Sequence, residues 1–206
     1  MSESISAILL AGGKSSRLGT DKAKVKLNGE SFMIQDIAKK LSAVSDDVVI
    51  STNGRRYEDI TVPVRWVTDV NPGAGSLMGL YSGLLAVRYD YAIAVACDMP
   101  FINIDLLKYM ISIPRDYDAL LPRVGEKTEQ LHAIYSKKCL PAMENALQSG
   151  RIKISAFLSD IRVKYVPEEI INRYDPEHLS FFNVNTPSDL AQAQNFLGKN
   201  KQTPVD

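Results

Sequence analysis

The sequence predicts an α/β fold built on a mostly parallel central sheet, and three observations predict it. Apolar, β-branched runs of strand length alternate with segments of helical period, the pattern in which crossover helices join parallel strands. The first run, residues 5–11, carries no charge, as expected of a strand covered on both faces. At 206 residues the chain is most simply one domain, long enough to bury roughly 70% of its unfolded surface.

Each element has its own signal. Strands are expected at residues 6–10, 48–51, 64–67 and 91–97, where apolar and β-branched residues run together. Between the first two, Phe32, Ile34, Ile37, Ala38 and Leu41 give a helix one apolar stripe. Residues 77–88 form a second crossover helix, and residues 104–111 begin a third after Pro100. Further strands are expected at 119–122, 130–135 and 162–166, with a helix at 140–149 between the last two. Thr186, Pro187 and Asp189 read as the cap, first-turn proline and first-turn acid of a last helix. The domain is expected to span residues 1–197, and the polar tail 198–206, which holds Pro204, to fray.

Charge and cysteine content exclude several classes. Lysine plus arginine and aspartate plus glutamate both number 24, so no net field draws the chain to nucleic acid or to an anionic membrane, and any anion site must be local. Cys97 and Cys139 are the two cysteines, and Cys97, inside an apolar run, reads as a buried reduced thiol. No apolar stretch approaches the ~18 residues of a membrane span, and the first residues lack the pattern of a signal peptide. A cytoplasmic location is the expectation.

Residues 8–22 carry the densest chemistry. A buried strand ends at Gly12-Gly13, where backbone N–H groups can converge on an anion, and Arg17 and Lys22 follow with charge. A Walker A loop would need glycine where Ile8 stands, and a Rossmann fingerprint would need it where Lys14 stands. Gly73-Ala74-Gly75 fails the same fingerprint at Met78. An ordinary strand-to-loop turn with solvated basic residues is the alternative.

In open α/β sheets ligands gather beyond the carboxyl ends of strands, which selects Asn53, Asp69 and Asp98 to share an edge with Gly12 and Gly13. Asp98 closes a long apolar strand that Pro100 stops. Its carboxylate suits Mg²⁺, which takes one or two carboxylates with phosphate and water, Asp69 being the second acid at hand; a turn residue bonding its own loop is the other reading. Gly75, Gly79 and Gly83 lie on one helix face, open to a ligand near Gly79 or, at Gly83, packed on the sheet. His132 shares a strand face with Gln130 and Ile134 and has no partner nucleophile in the sequence. His178 reads as a surface residue. Capping explains Thr186 to Asp189 without a ligand, but not Asn183 and Asn185 alternating on one strand face.

The string Leu10-Ala11-Gly12-Gly13-x-x-x-Arg17-Leu18-Gly19-x-Asp21-Lys22 resembles the signature loop of nucleotidyltransferases that accept sugar phosphates or molybdopterin. Asp21-Lys22, Gly75-Ser76-Leu77-Met78-Gly79-Leu80, Cys97-Asp98-Met99-Pro100, Leu131-His132-Ala133-Ile134-Tyr135 and Phe182-Asn183-Val184-Asn185-Thr186-Pro187 are similar to those of the molybdenum cofactor guanylyltransferases, in order along nearly the whole chain. Ser76 and Met78 depart from the proline and small residue that many relatives carry. The resemblance implies a three-layer Rossmann-like nucleotidyltransferase fold and transfer of GMP from GTP to Mo-molybdopterin with release of pyrophosphate. It implies catalytic roles for Arg17, Lys22 and Asp98, with Mg²⁺ on Asp98. It further implies GTP contacts from Leu10, Ala11, Gly12, Gly13, Lys22, Asn53, Asp69, Gly79 and Asp98, and acceptor contacts from His132, Asn183 and Asn185. The amino-terminal half would thus bind nucleotide and the carboxyl-terminal half the acceptor, with molybdoenzymes or their chaperones as protein partners. A cytidylyl- or sugar-1-phosphate nucleotidyltransferase, or a nucleotide-binding regulator without chemistry, is the alternative.

Overall fold

A computed structural model describes residues 4–12, 21–27, 29, 31–71 and 73–200. In chain order the elements are β1 (Ser6–Leu10), α1 (Met33–Ser42), β2 (Val48–Thr52), β3 (Arg65–Thr68), α2 (Gly75–Ala86), β4 (Tyr91–Ala96) and α3 (Ile104–Ser112). There follow β5 (Ala119–Val124), β6 (Lys127–Thr128), β7 (His132–Ser136), α4 (Leu140–Gln148), β8 (Val163–Val166), α5 (Glu168–Tyr174) and α6 (Pro187–Asn200).

The strands form one sheet in the order β3-β2-β1-β4-β7-β5, with β8 beside β5 and the short β6 closing a hairpin on it. The pairs of β1 with β2, β1 with β4, β2 with β3 and β5 with β8 are parallel. Those of β4 with β7, β5 with β7 and β5 with β6 are antiparallel. The sheet is therefore mixed, and the reason is local. After β5 the chain turns at Gly125, whose φ of 55° favours glycine, and returns as β6 and then β7. A return through a tight turn must run antiparallel, and β7 so fills the place between β4 and β5.

Side-chain alternation along β1 divides the core. Ala7 and Leu9 face a layer with Ile34, Ile37 and Leu41 of α1 and Leu106, Leu107 and Met110 of α3. Ile8 and Leu10 face Leu77, Leu80 and Leu84 of α2, with Met143 of α4 and Phe157 in the same layer. Helices thus cover both faces, which explains why every residue of β1, β2 and β4 is buried. Gly83 belongs to this packing, as a Cβ there would lie 2.6 Å from Ile8 Cγ2.

The last helix begins as its sequence predicts. Thr186 N–H donates to Asp189 Oδ2 at 2.8 Å and Asp189 N–H donates to Thr186 Oγ1 at 3.2 Å, a reciprocal cap. The helix continues to Asn200, past the expected boundary at 197, while residues 201–206 lie outside the described set. Among the described residues no helix is long and apolar enough to cross a membrane.

Candidate active site

The chain leaves β1 toward β2 on one side and is joined by β4 on the other, so a crevice opens beyond the carboxyl ends of β1, β2, β3 and β4. A cleft of about 450 Å³ occupies it. Leu10, Ala11 and Gly12 line it after β1, Ser51 and Asn53 at the end of β2, and Asp69 after β3. Gly75, Ser76 and Gly79 contribute from α2, and Ala96, Cys97 and Asp98 from the end of β4. Asp21, Lys22, Gly73, Leu131 and Asn183 complete the described lining.

One end of the cleft is rich in hydrogen-bond acceptors. Asn53 Nδ2 donates to the Gly12 carbonyl at 2.7 Å, which leaves its buried Oδ1 with no donor among the described residues. Ser51 Oγ donates to Asp69 Oδ1 at 2.6 Å, both groups being buried. A Cβ on Gly12 would lie 3.2 Å from Asn53 Oδ1 and 3.3 Å from Asp69 Oδ2. A Cβ on Gly79 would lie 3.3 Å from Leu10 Cδ2 and 3.7 Å from Asp69 Oδ1. Two glycines therefore leave room around Asp69 that side chains would fill. Burial holds its carboxyl above the usual range, and the Ser51 hydroxyl pulls it back. Such a pocket suits a ligand edge made of N–H and O–H donors.

The other end carries the charges. Asp21 Oδ1 accepts from Ala23 N–H at 3.2 Å and caps the short helical turn Lys22–Lys24. Tyr57 O–H and Arg55 Nη1 also donate to Asp21, at 3.1 and 3.2 Å. Burial and the Asp21 carboxylate push the Tyr57 phenol well up, so it remains a donor. Lys22 Nζ, so held, donates to Asp98 Oδ2 at 3.1 Å and to Asn185 Oδ1. Each partner of the Lys22–Asp98 pair keeps 18% of its side chain exposed, so both can still meet a ligand. Val184 N–H donates to the Asp98 carbonyl at 2.8 Å and ties the segment before α6 to the end of β4.

Of the residues chosen from sequence, Leu10, Ala11, Gly12, Lys22, Asn53, Asp69, Gly79, Asp98 and Asn183 line this one cleft. Gly13 and Arg17 lie outside the described residues. His132 does not line the cleft. Its side chain is fully buried, edge-on to Phe181 at 5.2 Å and 86°. Burial lowers its pKa to about 4 despite the Asp175 carboxylate. Asn183 and Asn185 do not lie on a strand; Asn183 Nδ2 donates to the Phe181 carbonyl at 2.9 Å and Asn185 reaches Lys22. Cys97 is a free thiol just past β4, in a residue that is partly exposed as a whole. Burial first, then Asp98, pushes that thiol up to about 12. Sequence reasoning did not select Ser51; its signal was a hydroxyl at the end of an otherwise apolar run.

Among the described residues no group of three His, Cys, Asp or Glu side chains could hold a metal ion. Asp98 fits Mg²⁺ in another way, as a carboxylate opening on the cleft, with phosphate and water oxygens supplying the other ligands.

Residues 7–163 match the MobA-like NTP transferase domain. A protein from Pelotomaculum thermopropionicum with the name "Probable molybdenum cofactor guanylyltransferase" is 37% identical over 196 residues, covering 95% of this chain and 94% of its own. The molybdenum cofactor guanylyltransferase of Desulfosudis oleivorans is 34% identical over 193 residues, covering 93% and 95%. The crystal structure of molybdopterin-guanine dinucleotide biosynthesis protein A from Archaeoglobus fulgidus superposes with a TM-score of 0.82 at 29% identity, covering 95% of this chain and 100% of its own. The 2-C-methyl-D-erythritol 4-phosphate cytidylyltransferase of Thermus thermophilus, at 14% identity and a TM-score of 0.70 over 94% of this chain and 98% of its own, shares the fold.

Proposed function

We infer, from the premise that the chain belongs to the MobA-like NTP transferase family, that it transfers GMP from GTP to Mo-molybdopterin and releases pyrophosphate. Relatives that align over nearly the whole chain carry the name of that activity. The observation that carries the reading onto this molecule is the cleft itself, where an acceptor-lined end and the Lys22–Asp98 pair share one cavity of about 450 Å³.

In this reading a terminal phosphate oxygen of the acceptor attacks the α-phosphorus of GTP, one P–O bond forms, and the bond from that phosphorus to the β-phosphate oxygen breaks. A phosphate monoester is already mostly ionised at pH 7, with a second pKa of about 6, so no strong base is needed. Positioning and charge neutralisation do most of the catalysis. The Gly12 turn, open because a Cβ would crowd Asn53 and Asp69, lets the nucleotide approach the backbone. Asn53 and Asp69 accept hydrogen bonds from ribose or base, and Lys22 neutralises phosphate charge. Arg17 and Gly13 of the same loop belong to the phosphate end in this reading. Mg²⁺, held by Asp98 when bound, supplies charge stabilisation to phosphate oxygens. Asn183 faces the acceptor. A cytoplasmic setting, with delivery to molybdoenzymes or their chaperones, completes the reading.

The test is to measure binding of GTP, CTP, ATP and UTP with Mg²⁺ present, then pyrophosphate release with Mo-molybdopterin. GTP should bind most tightly, and its turnover should require the acceptor. Preference for CTP would refute the guanylyl assignment, and nucleotide binding without pyrophosphate release would make the chain a regulator.

A further inference from the structure

We propose that Asn185 is a positioning residue for the Lys22 ammonium, so that the segment before α6 reaches into the phosphate end of the cleft. The inference rests on the reading that Lys22 meets a triphosphate.

Lys22 and Asn185 lie at opposite ends of the chain, yet Asn185 Oδ1 accepts from Lys22 Nζ. Among the described residues the same ammonium is also gripped by Asp98 Oδ2, at 3.1 Å. These two acceptors differ in kind. A carboxylate orients an ammonium and offsets its charge, whereas an amide oxygen orients it and leaves the charge whole for a phosphate. A lysine side chain has a flexible four-carbon stem and about 2 kcal/mol of rotamer entropy to lose on being fixed, so an acceptor that fixes it before the ligand arrives favours binding. Any ligand that engages the Asp98 carboxylate still leaves Lys22 held by Asn185.

Asn185 can act this way because its own backbone is fastened. Its N–H donates to Asp189 Oδ2 at 2.9 Å, beside the 2.8 Å bond from Thr186 N–H. One residue earlier, Val184 is fully buried and its N–H donates to the Asp98 carbonyl at 2.8 Å. The cap of α6 and the end of β4 thus grip the chain on either side of this amide. Asn185 does not line the cleft itself, so its effect on a ligand would pass through Lys22.

The test uses the full chain and three probes, inorganic triphosphate, GTP and guanosine, with affinities measured by calorimetry for wild type, Asn185→Ala, Lys22→Ala and the double variant. Asn185→Ala should weaken inorganic triphosphate and GTP by about tenfold, the scale of one hydrogen bond to a charged group, and leave guanosine unchanged. In the Lys22→Ala background it should add nothing. Asn185→Ser, too short to reach the ammonium but compatible with the turn, should behave alike and serves if Asn185→Ala does not fold. Equal losses for guanosine and triphosphate, or a further loss in the Lys22→Ala background, would overturn the inference in favour of a structural role. Triphosphate affinity that depends on Lys22 but not on Asn185 would overturn it too. A wild-type chain that binds neither GTP nor inorganic triphosphate would overturn the functional reading itself, and the inference with it.

Discussion

Replacing Ser51 with alanine removes the one hydroxyl among the described residues that donates to Asp69, and the structure sets the size of the effect. Ser51 is 1% exposed and Asp69 6% exposed, and the bond between them is 2.6 Å long. Water has little access to replace the lost donor. Hydrogen bonds to charged groups contribute about 1.5–3 kcal/mol, and burial places this one near the middle or above, at about 2 kcal/mol. For a chain of this size that corresponds to a melting temperature lower by about 4–8 °C. The loss should depend on pH, with a sign fixed by linkage. Asp69 already has a raised carboxyl pKa because of burial, and Ser51 opposes that rise. A folded-state pKa above the unfolded value means that the native state holds more protons, so stability is greatest below the unfolded pKa and falls as pH rises through the folded one. Removing Ser51 raises the folded pKa further. The difference between wild type and Ser51→Ala should then be full above the variant's pKa and shrink as pH falls and both chains protonate Asp69. Urea denaturation at several pH values between about 4 and 8, near and above the ordinary carboxylate range, measures this. A difference that does not change with pH, or one below about 0.5 kcal/mol at neutral pH, the ordinary scatter of surface substitutions, would refute the assignment of an ionised Asp69 stabilised by Ser51.

Four further outcomes are expected. Asp98→Asn should retain the fold, checked by circular dichroism, and lower turnover by about 10² or more at saturating Mg²⁺, the scale of one lost transition-state electrostatic contact. Thr186→Ala should cost about 1 kcal/mol in denaturation midpoint stability through loss of the cap on α6. Gly83→Ala should cost about 1–3 kcal/mol, because its new Cβ meets Ile8 Cγ2 at 2.6 Å and the sheet must yield; a neutral result would show that α2 shifts freely. Asn183→Ala should weaken Mo-molybdopterin by about 1–3 kcal/mol for a lost polar contact with GTP affinity nearly unchanged; loss of GTP binding would sink the assignment of Asn183 to the acceptor.

What the sequence disclosed, it disclosed where one physical rule dominates. Strands β1, β2 and β4 are buried on both faces, so their runs are mainly apolar and could be read directly. Asn53, Asp69 and Asp98 follow from a second rule, that ligands gather beyond the carboxyl ends of strands in an open α/β sheet, whereas Lys22 comes from its spacing after the glycine loop and Gly79 from its helix face and the family resemblance. The place of β7 between β4 and β5 did not follow, because pairing is decided by a return through Gly125 that periodicity does not report. Helix α5 went unassigned although Pro167, the acidic pair Glu168 and Glu169 and the buried Ile171 mark its start and its inner face. Asn183 and Asn185 alternate as strand residues would, yet the Asp189 carboxylate and the Asp98 carbonyl claim the backbone N–H groups that a ladder would have used. His132 shows the same limit from the opposite side. Its strand and face were legible, whereas its burial against Phe181 depends on a segment nearly fifty positions later.

The bond from Val184 N–H to the Asp98 carbonyl bears on the order in which the molecule becomes competent. Strands β1 to β4 pair with one another in parallel, and none of those three pairings draws on residues beyond β4. The amide that grips Lys22 follows it by 163 positions, well after the last of these strands. A nascent or prematurely terminated chain would therefore own a sheet, an acidic strand end and a lysine, but not the clasp between them. Nucleotide binding of full strength would then be acquired only once the segment before α6 is in place, and a chain ending before Val184 should show it weakened even where its sheet has formed.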